Sequence, residues 1–396
     1  MQPRAALPIF LCISVCLLTL APVTASEIVQ LTDDSSLNYL PQWSPDGEKL
    51  VYISSPSWHQ VEIWTINSDG SNKQKITSGM SGFGKGNPWS SDGTKLFYTS
   101  TDYWLLHRSW MYDVGTSEKT KVKCLKNIKS AEWVHNGSKL FIVEEEDETQ
   151  KLWLVESDGK NKTFLSELSG ENIGFLLQPS GNRILYTSNE SGNYDIWVMN
   201  SDGSGKKQLT FTRENENEMA WSQDGNRIVY VSKSFIDKSD YSTYGSSLFN
   251  YSQTIWVMDV DGGNKRQLTE ADGNRDSLPQ WSPNGTKIAF HRMDRGSAAN
   301  IIIMNSDGSN LTILTGNETS DVSPQWSPKG DKIAFTSSKD GNMSVSVIIL
   351  DDEWKSAHAE TKVSIASSQG NGKKSPGFTI SLVMIAFLIA LALQKK

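Results

Sequence analysis

PQWSPDG at residues 41–47 is a phrase that returns, with changes, along the whole chain: NPWSSDG at 87–93, AEWVHNG at 131–137, MAWSQDG at 219–225, PQWSPNG at 279–285 and PQWSPKG at 324–330. A degenerate copy, FLLQPSG at 175–181, has Leu177 where the others have tryptophan. Counted between the central positions 43, 89, 133, 177, 221, 281 and 326, the spacings are 46, 44, 44, 44, 60 and 45 residues. A fixed period in the low-to-mid forties, built from strand-like segments, is the mark of a β-propeller, in which each repeat buries its faces only against its neighbours.

Each repeat supplies the parts of one four-stranded antiparallel blade. After the glycine comes a run such as KLVYIS (49–54), KLFYTS (95–100) or RIVYVS (227–232), in which apolar and polar residues roughly alternate. A variable stretch follows, then a third strand ending in a turn: IWTINSDG (63–70), LWLVESDG (152–159), IWVMNSDG (196–203), IWVMDVDG (255–262) and IIIMNSDG (301–308). A short fourth strand ends in Leu-Thr or Ile-Thr at 76–77, 209–210, 268–269 and 314–315. Asp-Gly and Asn-Gly supply the positive φ that tight hairpins need. The seventh repeat has a third strand, SVIILD (346–351), but no fourth. An orphan fourth strand, EIVQLT (27–32), stands ahead of the first repeat. Pairing the two closes the ring and removes an exposed sheet edge. The sequence thus predicts an all-β propeller over residues 27–354 with seven blades. Six is the alternative, because the fourth repeat is degenerate.

The flanks predict compartment. Arg4, the apolar stretch 7–20 and Val23-Thr24-Ala25 read as a secretory signal over residues 1–26. Two of the three cysteines, Cys12 and Cys16, fall inside it. Only Cys124 remains, so an intramolecular disulfide is ruled out and the core must hold the fold. The formal charge is −7, and losing Arg4, Lys395 and Lys396 takes it to −10, which disfavours a nucleic-acid partner. Eight Asn-x-Ser/Thr sequons mark candidate glycosylation sites: Asn136, Asn161, Asn189, Asn250, Asn284, Asn310, Asn317 and Asn342. Residues 355–375 read as a flexible stalk rich in Ser, Ala, Gly and Lys. Residues 376–396 hold Pro376, Gly377 and Phe378, an apolar run to Leu393, and two terminal lysines. This order resembles the PGF-type C-terminal sorting signals of archaeal surface proteins. That resemblance implies removal of the helix and attachment to lipid; a plain transmembrane anchor is the alternative. Either way, the expected location is the cell surface, tethered at the C-terminus.

The combination of WSPDG, a β-strand, IWxMNSDG and a Leu-Thr strand resembles the repeats of the TolB family of WD-like propellers. The likeness covers residues 27–354. It is strongest in the first, fifth, sixth and seventh repeats and weaker in the second to fourth, where WMYD (110–113) and Leu177 depart from the pattern. The resemblance implies a propeller used as a binding platform. TolB itself resembles a six-bladed propeller with a separate N-terminal domain, for which this sequence shows no counterpart. Its envelope-complex role is therefore not carried over.

Within a blade the strands alternate direction, so the WSPDG and SDG turns share one face and the more varied connections share the other. Varied loops on a rigid scaffold carry recognition. On that face the candidate partner-binding residues are Trp58 and His59 in the first repeat, and Tyr103, Trp104 and His107 in the second. The fifth offers Phe235, Tyr241, Tyr244, Phe249 and Tyr251, within a connection read as residues 232–254. Arg292 and Arg295 are placed on the corresponding loop of the sixth, and the acidic run 144–148 on a solvated loop of the third. His59, His107 and His291 are read as three loop histidines on this face, whose convergence would suit a metal; ordinary surface histidines are the stronger reading, and no metal or cofactor is expected. The SDG turns lack the late glutamate of a calcium loop, GMSGFGKG (79–86) has glycine where a phosphate loop needs Ser or Thr, and no Gly-x-Ser-x-Gly elbow occurs. The favoured function is a non-catalytic module binding a surface or envelope protein, or a glycan. The alternative is an extracytoplasmic enzyme (a lyase, lactonase or glycan-active hydrolase) with its site at the mouth of the central channel.

Overall fold

The computed structural model describes residues 27–350, apart from 34, 58–59, 84–85, 102–106, 126, 135–136, 147–148, 236–250, 295–297 and 317 and the side chains of 173 and 235. All regular structure among the described residues is β-strand. Strand pairing groups it into seven four-stranded antiparallel units. The degenerate fourth repeat makes a full unit from Asn172–Leu177, Arg183–Ser188, Asp195–Asn200 and Lys207–Gln208. Single parallel bridges, Val61↔Met80 and Gln253↔Arg275, stitch the first unit to the second and the fifth to the sixth. Among the described residues no helix is long and apolar enough to cross a membrane. The stretches expected to be signal, stalk and anchor lie outside the described residues.

Closure takes the expected form. Glu27–Gln30 pairs antiparallel with Asn342–Ile349, in the register Glu27↔Ile349 to Gln30↔Ser346. Leu31 then enters the core between the seventh unit and the first, beside Trp43, Leu50, Val345 and Val347. The other core clusters also straddle neighbouring units; Val51, Ile63 and Ile76 of the first, for example, pack on Trp89, Leu96, Tyr98 and Tyr112 of the second.

The repeated phrase has a physical reason at each position. The indole N–H of each tryptophan donates to the backbone carbonyl just ahead of the matching position in the preceding unit. These bonds are Trp43 to Gln325 (3.0 Å), Trp89 to Gln42 (3.2 Å), Trp133 to Pro88 (2.9 Å), Trp221 to Leu176 (3.1 Å) and Trp326 to Gln280 (3.3 Å). One residue thus gives both large apolar burial and a directional bond between units. Trp281 breaks the series: its Nε1 has no partner, and the Arg227 guanidinium stacks 4.5 Å from its ring instead. The threonine of the Leu-Thr strand closes each unit on itself. Oγ1 of Thr32, Thr77, Thr210, Thr269 and Thr315 accepts the backbone N–H of Val345, Ile63, Ile196, Ile255 and Ile301, all within 2.8–3.0 Å.

Trp133→Phe keeps most of the ring but removes the indole bond to the Pro88 carbonyl, which still accepts the Phe97 backbone N–H at 2.9 Å. We expect a loss of about 0.5–1.5 kcal/mol in denaturant unfolding, with an unchanged m-value. An unaltered midpoint would show that the indole bond between units adds nothing.

Candidate functional site

The two faces differ in chemistry as well as length. On the turn face every repeat uses five residues between the tryptophan position and the Lys or Arg opening its second strand. The turn is held from within: Ser44 Oγ accepts the Lys49 N–H at 2.9 Å and donates to Asp46 at 2.6 Å. Ser90 and Ser222 repeat this with Asp92 and Asp224, and Ser282 does so with Asn284. In the NSDGS turns Asp69, Asp202 and Asp307 each accept both the N–H and the hydroxyl of the serine two residues on. Those serine bonds hold all three carboxyls below their ordinary range. The turn aspartates are therefore engaged in hairpin chemistry.

The opposite face is uneven and carries two adjacent clefts. One, of 270 Å³, lies between the second and third units and is lined by Thr99, His107, Ser109, Asn127, Lys129 and Glu145 among others. His107 opens the strand His107–Asp113, is exposed, and sets Nδ1 3.1 Å from the Thr101 hydroxyl. The other, of 430 Å³, lies between the third and fourth units along Glu145, Thr149, Gln150, Glu167, Ser169 and Glu171. Glu145 separates the two and pairs with Lys129 at 2.7 Å.

Several expected sites move. The fifth-unit connection is shorter than 232–254, because its flanking strands run on as Arg227–Phe235 and Tyr251–Asp259 and pair Phe235 with Tyr251. Tyr251 is thus a strand residue, with the Lys233 ammonium 3.7 Å from its ring centroid. Arg292 also lies on a strand, Lys287–Met293, and not on a loop. Its guanidinium is bidentate to Asp276 at 2.6 and 2.8 Å, and the Asp276 side chain is 0% exposed. His291, one residue earlier, is likewise a strand residue; burial pushes its imidazole down to about 4, so it is neutral at physiological pH. The acidic run at 144–148 begins as strand: Glu144, Glu145 and Glu146 belong to Lys139–Glu146 and pair with Lys162, Lys129 and Lys151. Among the described residues no group of three His, Cys, Asp or Glu side chains is placed to hold a metal ion. Trp58, His59, Tyr103, Trp104, Tyr241, Tyr244, Phe249 and Arg295 lie outside the described residues, as do Asn136, Asn250, Asn317, Pro376, Gly377 and Phe378, and the Phe235 side chain is not described. Of the remaining sequons, Asn161, Asn284, Asn310 and Asn342 are exposed or half-buried at their turns, and Asn189 is half-buried.

The structure adds buried polar side chains at one fixed place in the repeat. Five positions before the tryptophan position, the first strand carries Asn38, Asn172, Glu216, Asp276 and Asp321, all buried. Each lies opposite a second-strand residue: Ser54, Ser188, Ser232, Arg292 and Ser337. The recurring polar residue at a fixed offset was the available signal. Glu132 is a separate case. Leu177 has no indole N–H to offer the third unit. Instead, Glu132 sends its carboxyl into the gap and accepts the Leu177 backbone N–H at 2.7 Å, beside a residual cavity of about 10 Å³. Burial raises that carboxyl to about 8.

Glu132 has a pH signature. Its carboxyl titrates at about 8 in the folded chain against 4.5 for a free glutamate, so folding favours the protonated form. Its contribution is intact below about pH 4.5 and is lost as pH rises through 8, at roughly 1.4 kcal/mol per unit. Glu132→Gln is expected to flatten the decline in stability between pH 5 and 8, measured by urea unfolding across that range. A slope as steep as the parent's would place its source elsewhere, the raised Glu216 being the next group to test.

Known proteins share this architecture. A curated relative, the uncharacterized peptidase YuxL of Bacillus subtilis, is 30% identical over 95 residues, which is 24% of this chain and only 13% of that protein. Oligogalacturonate lyase from Vibrio parahaemolyticus superposes with a TM-score of 0.61 at 12% identity, over 83% of this chain and 94% of that one. The β-propeller domain of the Trilobed protease from Pyrococcus furiosus, described as having an open velcro topology, gives 0.58 at 15% identity over 80% and 96%. Acylaminoacyl peptidase from Pyrococcus horikoshii gives 0.56 at 14% identity over 84% and 55%. At these identities the solved structures show a shared fold and nothing further. The family model described as the TolB beta propeller domain matches residues 89–248 and 246–387, and with that match across most of the repeats the chain belongs to the TolB beta-propeller family.

Proposed function

We propose that this protein is an extracytoplasmic, surface-tethered propeller that binds a protein or glycan partner through its long-loop face, without catalysis. The observation that carries this reading is the asymmetry of the two faces. One is made of short, uniform, internally satisfied turns; the other is made of unequal connections and holds both clefts. The signal-like and anchor-like flanks support display outside the cell, and the sequons support glycosylation. The test is affinity capture from the producing cell's surface fraction, run with the parent chain and with a variant whose residues 236–250 are replaced by a short turn. A partner captured by the parent and lost by the variant locates recognition at the fifth unit. A partner held by both moves it to the clefts of the second to fourth units. Capture of nothing counts against the reading.

The likeness in fold to oligogalacturonate lyase favours one second reading, an enzyme acting on an acidic glycan. The larger cleft offers such a substrate three carboxylates and no lysine or arginine among its lining residues, which opposes a polyanion. Incubation with oligogalacturonate and a search for shortened products decides between the two.

A further inference from the structure

We propose that the cleft between the third and fourth units receives a cationic side chain, the ammonium of a lysine or the guanidinium of an arginine, presented by a partner protein. The inference deepens the binding reading above and rests on it.

The lining is made for a donor that carries positive charge. Glu145 reaches the cleft from one stretch of chain and Glu167 and Glu171 from a second, with Thr149, Gln150 and Ser169 between them. The nearby lysines leave most of that charge unspent. Lys129 takes Glu145 from the neighbouring cleft at 2.7 Å, whereas Lys206 donates to the backbone carbonyl of Glu167 at 2.6 Å. Glu171 is held ready: its carboxylate accepts the Tyr194 hydroxyl at 2.5 Å, and its backbone N–H donates to Asn189 Oδ1 at 2.7 Å. A carboxylate fixed in this way loses little freedom when a cation arrives.

Independent of the acids is an unsatisfied amide. Gln150 lines the same cleft, is 5% exposed, and its Oε1 has no hydrogen-bond partner. A buried carbonyl oxygen without a donor costs about 1–3 kcal/mol. Asn172, just beyond the cleft wall, has the same defect: its Nδ2 donates to Ser169 and Gly170, and its Oδ1 has no partner. An orphaned acceptor in the lining beside three carboxylates suits a hydrogen-bond donor that also carries positive charge, as an ammonium or guanidinium does and a neutral sugar does not. The cleft, at 430 Å³, has room for one such side chain with part of its flanking backbone.

Calorimetric titration of the purified chain at low salt provides the test. The probes are a nine-residue Arg/Gly peptide, the same peptide with Glu for Arg, and free spermidine. The Arg peptide is expected to bind and the Glu peptide not. Glu167→Gln with Glu171→Gln is expected to weaken the Arg peptide about tenfold or more, and added salt to weaken it further. Gln150→Leu is the discriminating variant. It is expected to weaken the peptide severalfold while leaving the melting temperature equal or higher, because it removes an unsatisfied group from the free protein. No binding of the Arg peptide, or binding indifferent to all these substitutions, overturns the proposal; spermidine binding as tightly as the peptide overturns the partner-borne source. A partner captured from the cell surface but insensitive to Glu167 and Glu171 sinks this inference and leaves the broader binding reading standing.

Discussion

A chain begun at Asp33, lacking the strand Glu27–Gln30 and the Leu31-Thr32 pair after it, is expected to lose its cooperative unfolding transition and to associate. The deletion strips the antiparallel partner from Asn342–Ile349 along four residue pairs. It empties the Leu31 site in the core shared by the seventh and first units, a change of about 2–5 kcal/mol for a buried leucine. It also orphans the Val345 N–H, which donates to Thr32 Oγ1 at 2.9 Å, adding about 1–3 kcal/mol. Together these approach the whole stability of an ordinary domain, about 5–15 kcal/mol. The bared strand is an apolar edge, and such edges pair with other chains. Thermal scanning with light scattering is the measurement, and Thr32→Ala, expected to cost only about 1–3 kcal/mol, is the graded control. Retention of a sharp transition at the parent midpoint would mean that the ring holds without its closing strand.

The second large effect falls on a residue that the sequence pointed toward recognition. Arg292→Met is expected to destabilise the fold by about 3–5 kcal/mol, because it leaves the fully enclosed Asp276 carboxylate without its counter-ion. Desolvation already raises Asp276, and the arginine is what opposes that rise. The variant should therefore unfold early in urea. If it does so while partner capture per folded molecule is unchanged, Arg292 is structural. A loss of capture with an unchanged midpoint would restore it to the binding surface. The double change Asp276→Leu with Arg292→Met should recover much of the loss, since a buried pair exchanged for apolar groups is often close to neutral.

How far the site was legible follows from the reach of each signal. Arg292 and His291 read as loop residues because the apolar run of the second strand stops at KIAF; the ladder instead continues to Met293, where it pairs with Ala299. The same extension moved Tyr251 and the glutamates of the third unit from loop to strand. In each case a cross-strand partner lengthens the strand: Asn300 faces Arg292, Phe235 faces Tyr251, and Lys151 faces Glu144. A periodicity read along one strand cannot see the residue opposite. The clefts were less visible still, because each is assembled from stretches of two neighbouring repeats.

The sequence by itself determined the repeat, the four-stranded unit and the closure by the N-terminal strand. These follow from local rules, the turn chemistry of WSPDG and NSDGS and the alternation of strands, which act over a few residues and recur with the period. Only the tertiary structure decided what happens between repeats. There, the tryptophan bonds the preceding unit, Glu132 answers the missing tryptophan at Leu177, Asp276 claims Arg292, and Gln150 is left without a donor beside three glutamates. The reason is physical: burial and pairing depend on which side chains from distant positions share one enclosed space, and that neighbourhood does not exist until the ring is formed.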